Sequence, residues 1–121
     1  MLLLWCTANF EAFNSRDAYY ETALHELTHW TGAEPRLNRV FGKRFGDETY
    51  SAEELVAELG SAFVLAEFGF DSGHRNAAYI AHWIKFLTDH DHAIVSAASM
   101  ASKAVKYIRS KVIAEPMQQA A

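Results

Sequence analysis

The run His25-Glu26-Leu27-Thr28-His29 combines residue types and a spacing that could do chemistry. On a helix, side chains four apart stand on one face about 5–6 Å from each other, so both imidazoles can reach one tetrahedral cation such as Zn²⁺. Glu26 lies about 100° further round the helix, off the ligand face, where it can take a proton from water beside a metal. Leu24, Leu27, Thr28 and Trp30 are uncharged, as suits a helix buried next to a metal. The competing arrangement is two half-buried histidines satisfied by carbonyls or carboxylates.

Two histidines leave a catalytic zinc one protein ligand short. The pattern H-E-x-x-H-x-x-G-x-x-H fails here, because Gly32 matches but Pro35 stands at the last position and cannot ligate. A second pattern draws a glutamate from another helix, in E-x-x-A-[DE], and Glu54-Leu55-Val56-Ala57-Glu58 fits it. Glu54 is the expected third ligand, with Glu53 and Glu58 as alternatives. Glu58, one turn on, would accept a hydrogen bond from a ligating histidine and fix its tautomer. Ser51 to Glu54 also reads as a capping box, with Glu54 bonding back to the Ser51 amide and Glu53 and Glu58 as solvated charge. Against that, Glu54 sits near an apolar stripe, where an unpaired charge is expensive.

Tyr79 is a candidate donor to the oxyanion of a carbonyl under attack, although its helical spacing equally suits the core. His74 falls in a loop and His82 mid-helix. The pair His90 and His92 could take a second metal, with helix capping by Asp91 as the commoner reading.

These residues need helices to hold them. Asn14 or Ser15 can cap a helix that carries HELTH and stops at Gly32, a plausible C′ residue. Pro35 blocks its continuation, and residues 33–50 form a long connection with room for a short strand. A second helix starts near Ser51 and ends at Gly69, with Leu55, Leu59, Ala62, Phe63 and Ala66 on its core stripe. A third spans 77–88 and places Tyr79, Ile80, Trp83, Ile84 and Leu87 on one face. A fourth follows Asp91, with Ile94, Ala97, Ala98, Ala101, Val105, Ile108 and Val112 at helical spacing.

The chain has 121 residues, half of them apolar, with 6 Gly and 2 Pro, which fits one mainly α domain rather than a many-turned β protein. A net charge of −4 argues against general attraction to DNA or anionic membranes. Locally, Arg36, Arg39, Lys43 and Arg44 gather in the long connection, where they could meet phosphate or an acidic segment. Lys103, Lys106, Arg109 and Lys111 complement the end of the fourth helix. The single Cys6 excludes an intramolecular disulfide and a Cys-rich metal site. MLLLWC at the start has no basic flank and is too short for a signal peptide or membrane span. It reads as an edge strand or as the start of an excised domain, so a small edge sheet is allowed beside the helices.

The segments HELTHWTG (25–32), RLNR (36–39), FGDETYSAEELVAELGSAF (45–63) and AAYIAHWIKFL (77–87) follow one another in register. In these blocks the chain resembles the zincin-like metallopeptidase domain at the C-terminus of ArdC-type antirestriction proteins, related plasmid primases and polyvalent phage proteins. It departs at Asn76, where the family pattern has a histidine. The resemblance implies one domain over residues 1–121, with its core at about 10–113, lacking the single-stranded-DNA-binding domain that precedes it in the family. By position it assigns His25, His29 and Glu54 to Zn²⁺ and Glu26 to catalysis. It implies a protein or peptide substrate, association with a single-stranded-DNA-binding domain or protein, and a mobile-element origin in the bacterial cytoplasm. Two functions are compatible with these residues: zinc-dependent peptide hydrolysis, or a catalytically silent scaffold that docks a protein or DNA complex. Retention of Glu26, which is no ligand, favours hydrolysis.

Overall fold

A computed structural model describes the chain over residues 15–39, 48–70 and 77–112. Four helices and no strand occur among the described residues: α1 (Arg16–Thr31), α2 (Glu48–Glu67), α3 (Ala77–Asp89) and α4 (Ala93–Val112). The fold is mainly α. The expected edge strand in residues 1–6 lies outside the described residues, as do His74 and the greater part of the connection after Arg39.

Ser15 starts α1. Its extended backbone (φ −156°, ψ 163°) lets Oγ accept the Ala18 N–H at 3.1 Å, and Asp17 adds negative charge at the positive helix end. Buried on this helix are Glu21, Thr28, His29 and Thr31, all polar. The two threonines satisfy themselves locally, Thr28 Oγ1 donating to Leu24 O and Thr31 Oγ1 to Thr28 O. So α1 is held in the fold by a polar face that needs specific partners, not by an apolar stripe. Gly32 is the C-cap itself, one place short of the expected C′, with an ordinary right-handed backbone (φ −81°). A left-handed residue follows at Asn38 (φ 52°).

α2 begins at Glu48, three residues earlier than expected, so Ser51 lies inside the helix and caps nothing. Gly69 ends it with φ 71°, and the paired bonds Phe70 N–H to Leu65 O and Gly69 N–H to Ala66 O form a Schellman motif. This helix packs between α1 and α4 and therefore buries more than one stripe. Val56, Ala57 and Leu65 are fully buried beside Leu55, while Phe63 and Ala66 of the expected stripe are exposed.

The apolar core joins Leu55 and Val56 of α2, Phe86 of α3, and Ala97 and Ala101 of α4, with Trp83 and Leu87 against it. α3 is thus rotated from its expected facing: Phe86 is buried and Ile84 is 62% exposed. The face that packs is 83, 86 and 87, where Phe86 meets Trp83 edge-on and lies tilted against His90 just past the helix end. On α4 the alanines at 97, 101 and 104 let the helices approach closely, whereas Ile94 is exposed. Arg109 pairs with Glu67, and Arg109 and Lys111 sit in the last turn, where cations oppose the helix dipole.

α1 and α2 approach closely at Gly60. A Cβ there would fall 2.7 Å from Thr28 Cγ2 and 2.8 Å from its Oγ1. Thr28 cannot yield, being 1% exposed, β-branched and hydrogen-bonded to Leu24 O. Gly60→Ala is expected to destabilise the domain by about 1–3 kcal/mol through overpacking at this crossing. Chemical denaturation of the two proteins measures it, and an unchanged midpoint would mean that the helices are not packed this tightly.

Candidate metal centre

The crossing that Gly60 permits puts the HELTH turn of α1 against the 53–58 turn of α2. His25 and His29, one turn apart, have ring centroids 4.8 Å from each other and Nε2 atoms 3.2 Å apart. Glu54 faces both: Oε2 is 3.2 Å from His25 Nε2, and Oε1 is 2.9 Å from His29 Nε2. The far sides of both rings are also engaged. His25 Nδ1 is 2.9 Å from Glu58 Oε1, and His29 Nδ1 is 2.8 Å from Glu53 Oε2. A neutral imidazole that donates Nδ1–H to a carboxylate presents a bare lone pair at Nε2.

Once both Nε2 atoms are deprotonated, two such lone pairs and a carboxylate are gathered at one place, with their donor atoms within 4.8 Å of one another. In a tetrahedral site with metal–ligand bonds of about 2.0–2.1 Å, adjacent ligands stand about 3.3 Å apart. The observed spacings of 2.9–3.2 Å are close to that edge. The residues fit a divalent metal. Glu26 supports the fit, since among the described residues its Oε2 is buried with no hydrogen-bond partner, a costly arrangement for a carboxylate that meets no proton donor.

The electrostatics agree. Burial opposes charge on His25, but hydrogen bonds to Glu54 and Glu58 outweigh it and raise the pKa to about 10. Burial opposes charge on His29 as well, and Glu53 and Glu54 outweigh it, so its pKa is also raised. Burial would raise Glu54, yet its bonds to the two histidines lower it to about 2. Without metal, protons hold the cluster together. A cation binding the same atoms must displace them.

The metal-free and metal-loaded proteins should therefore respond oppositely to pH. The pKa of His25 rises on folding from 6.5 to about 10, so its contribution is complete below pH 6.5 and is lost as pH climbs through 10. For Glu54 it falls from 4.5 to about 2, so that contribution is present above pH 4.5 and lost as pH drops through 2. Metal binding needs neutral imidazoles and strengthens as pH rises. The increase in melting temperature caused by added Zn²⁺ should accordingly grow from pH 6.5 to 8. Thermal scans with metal and with chelator test this, and a constant or shrinking increment would remove the histidines as ligands.

Of the residues singled out in the sequence, His25, His29 and Glu54 come together, and Glu58 stands behind His25. Glu53 is neither a ligand facing the shared point nor solvated charge. It is 5% exposed and lies behind His29, bonded to Arg39. Glu54 does not cap its helix. The Tyr79 side chain lies outside the described residues. His82 and His92 are exposed, and His90 packs on Phe86, so the described residues assemble no second metal cluster at the hinge.

Two site residues escaped sequence reasoning. Tyr50 stands one turn before Glu54, and burial together with the charges of Glu54 and Glu26 raises its phenol pKa, keeping it a proton donor. Its i, i+4 spacing to Glu54 was the available signal. Arg39 does not reach out to phosphate. Its side chain is 6% exposed, and the guanidinium is bonded to Glu53, Thr28 O and Thr31 Oγ1. Arg36 likewise turns inward, bonding Trp30 O and stacking 4.0 Å over the Trp30 ring.

An HExxH helix crossed by a glutamate-bearing helix defines a class, and the chain belongs to it: residues 6–100 match the zincin-like metallopeptidase family. Among particular relatives, DNA primase TraC of Escherichia coli is 46% identical over 99 residues, covering 79% of this chain and 7% of the primase. The uncharacterized protein y4eC of Sinorhizobium fredii is 36% identical over 104 residues, covering 84% of this chain and 34% of that protein. The chain thus spans only a small part of these relatives' length. The crystal structure of the antirestriction protein ArdC from plasmid R388, in its Mn(II)-bound form, superposes with a TM-score of 0.65 at 37% identity, over 82% of this chain and 37% of ArdC. Among the described residues no helix is long and apolar enough to cross a membrane.

Proposed function

We propose that this domain hydrolyses peptide bonds at a zinc ion held by His25, His29 and Glu54. The observation that carries the reading is the convergence of both Nε2 atoms and the Glu54 carboxylate on one point, with the buried, unpaired Oε2 of Glu26 on the same helix. When bound, the ion supplies Lewis acidity and lowers the pKa of a coordinated water to about 7.

The remaining work belongs to the chain. Glu53 and Glu58 orient the imidazoles. Glu26 takes the proton at Oε2 as the carbonyl carbon is attacked, and delivers it to the departing amine. Tyr50, one turn before Glu54 on α2 and kept protonated by burial and the nearby charges of Glu54 and Glu26, is our candidate donor to developing negative charge. Two nitrogens and one carboxylate suit zinc, and the Mn(II) in ArdC is a property of that protein's structure.

We further propose that the domain acts in the bacterial cytoplasm beside a single-stranded-DNA-binding domain or protein; the likeness to a DNA primase and to a plasmid antirestriction protein motivates the mobile-element setting. Peptide-library cleavage by the parent and by Glu26→Gln, each loaded with zinc, tests the reading. Cleavage by the parent alone supports hydrolysis, and cleavage by neither supports a docking scaffold.

A further inference from the structure

We propose that Arg39 is a positioning residue of the metal centre: its guanidinium fixes Glu53, and Glu53 fixes the His29 ring so that Nε2 points at the shared ligand site. The inference rests on the metal-centre reading above. It names a residue from outside both helices that carry the motif.

The contacts form a continuous chain. Arg39 Nε donates to Glu53 Oε1 at 2.8 Å and Nη2 to Oε2 at 3.0 Å, two parallel bonds that hold the carboxylate plane. Oε2 of the same carboxylate accepts from His29 Nδ1 at 2.8 Å. The other donors anchor the guanidinium itself, Nη2 to Thr28 O at 2.7 Å and Nη1 to Thr31 Oγ1 at 2.9 Å. One side chain thereby ties the end of α1 to α2 at the level of His29.

The backbone delivers it there by design of the turn. Leu37 N–H bonds Thr31 O, the left-handed Asn38 reverses the chain, and Arg39 N–H bonds Gly32 O at 2.8 Å. A residue needed only to close the helix end could stop at the carbonyls, as Arg36 does on Trp30 O. Arg39 goes further and spends two donors on the carboxylate that orients a ligand. Lysine cannot replace it, because an ammonium lacks the planar fork. Removing the fork frees Glu53 to rotate and leaves the His29 ring without a fixed direction, as happens when the partner of a metal-bound histidine is lost.

A cavity of about 210 Å³ borders Arg39 and Glu53, with Val56, Ala97 and Met100 on its wall. It offers a small planar cation a route to Glu53 once the arginine is trimmed. The experiment is cobalt titration of the parent, Arg39→Lys and Arg39→Gly, read by affinity and by the visible Co²⁺ band, with and without methylguanidinium. Metal-free melting temperatures report folding separately.

Both variants are expected to bind cobalt about 10- to 100-fold more weakly, with a shifted band. Methylguanidinium should restore affinity and band in Arg39→Gly and do nothing to the parent. If Arg39→Gly does not fold, Arg39→Lys carries the comparison. Folded variants with the parent's affinity and band overturn the inference while leaving the metal centre intact, and so does a drop in melting temperature with no change in either. A parent that takes up no cobalt overturns both.

Discussion

Glu26→Gln is expected to lower hydrolysis of a cleaved peptide by about 10²–10⁴, while metal content and melting temperature stay at parent values. The substitution keeps the shape of the side chain and removes its ability to accept a proton. It leaves the His25, His29 and Glu54 atoms that converge on the metal untouched. Stability should be preserved for a further reason: Oε2 of Glu26 makes no hydrogen bond among the described residues, so no partner is orphaned. His25→Ala, by contrast, should lose metal and hydrolysis together. The diagnostic pattern is a split between the two variants. If a cellular effect survives Glu26→Gln but fails in His25→Ala, the domain works as a metal-dependent scaffold and the peptidase reading is abandoned.

Among the three carboxylates, Glu54→Ala should have the largest effect on metal binding, weakening it by more than about 100-fold. Glu58→Ala and Glu53→Ala, which remove partners of the ligating rings, should cost about 10- to 100-fold each. Glu54 is the only carboxylate with both oxygens near the two Nε2 atoms, at 3.2 and 2.9 Å, among the described residues. Without it, two imidazoles at 3.2 Å face each other with no anion between them. Metal at 100 times its dissociation constant stabilises a protein by about 2.7 kcal/mol, and Glu54→Ala should forfeit most of that increment. Calorimetric titration of the three variants, with thermal scans in zinc and in chelator, gives the ranking. Equal losses at Glu53 and Glu54, or full affinity in Glu54→Gln, would mean that the third ligand lies elsewhere.

The local part of this centre was legible in the order of residues. An i, i+4 pair lies on one helix face whatever the helix packs against, so HELTH declares His25, His29 and the offset of Glu26 before any fold is known. The N-cap at Ser15 and the helix end at Gly69 are equally local, since each depends on a few neighbouring dihedrals. The four helices of the described residues followed from the same periodicity.

What needed the tertiary structure were questions of relative rotation. Glu53 and Glu54 differ by about 100° around α2, and only the α1–α2 crossing, set where Gly60 meets Thr28, decides which faces the Nε2 atoms and which backs His29. The same uncertainty turned α3 to bury Phe86 and expose Ile84, because several apolar stripes were available and packing against α2 and α4 selected one. Arg39 was the least legible. A basic residue in a long connection reads as surface charge, and its burial against Glu53 arises from the reversal at Asn38 and from an α2 carboxylate far along the chain. Spacing along one helix is a property of the sequence, whereas the direction in which two helices face each other is a property of their packing.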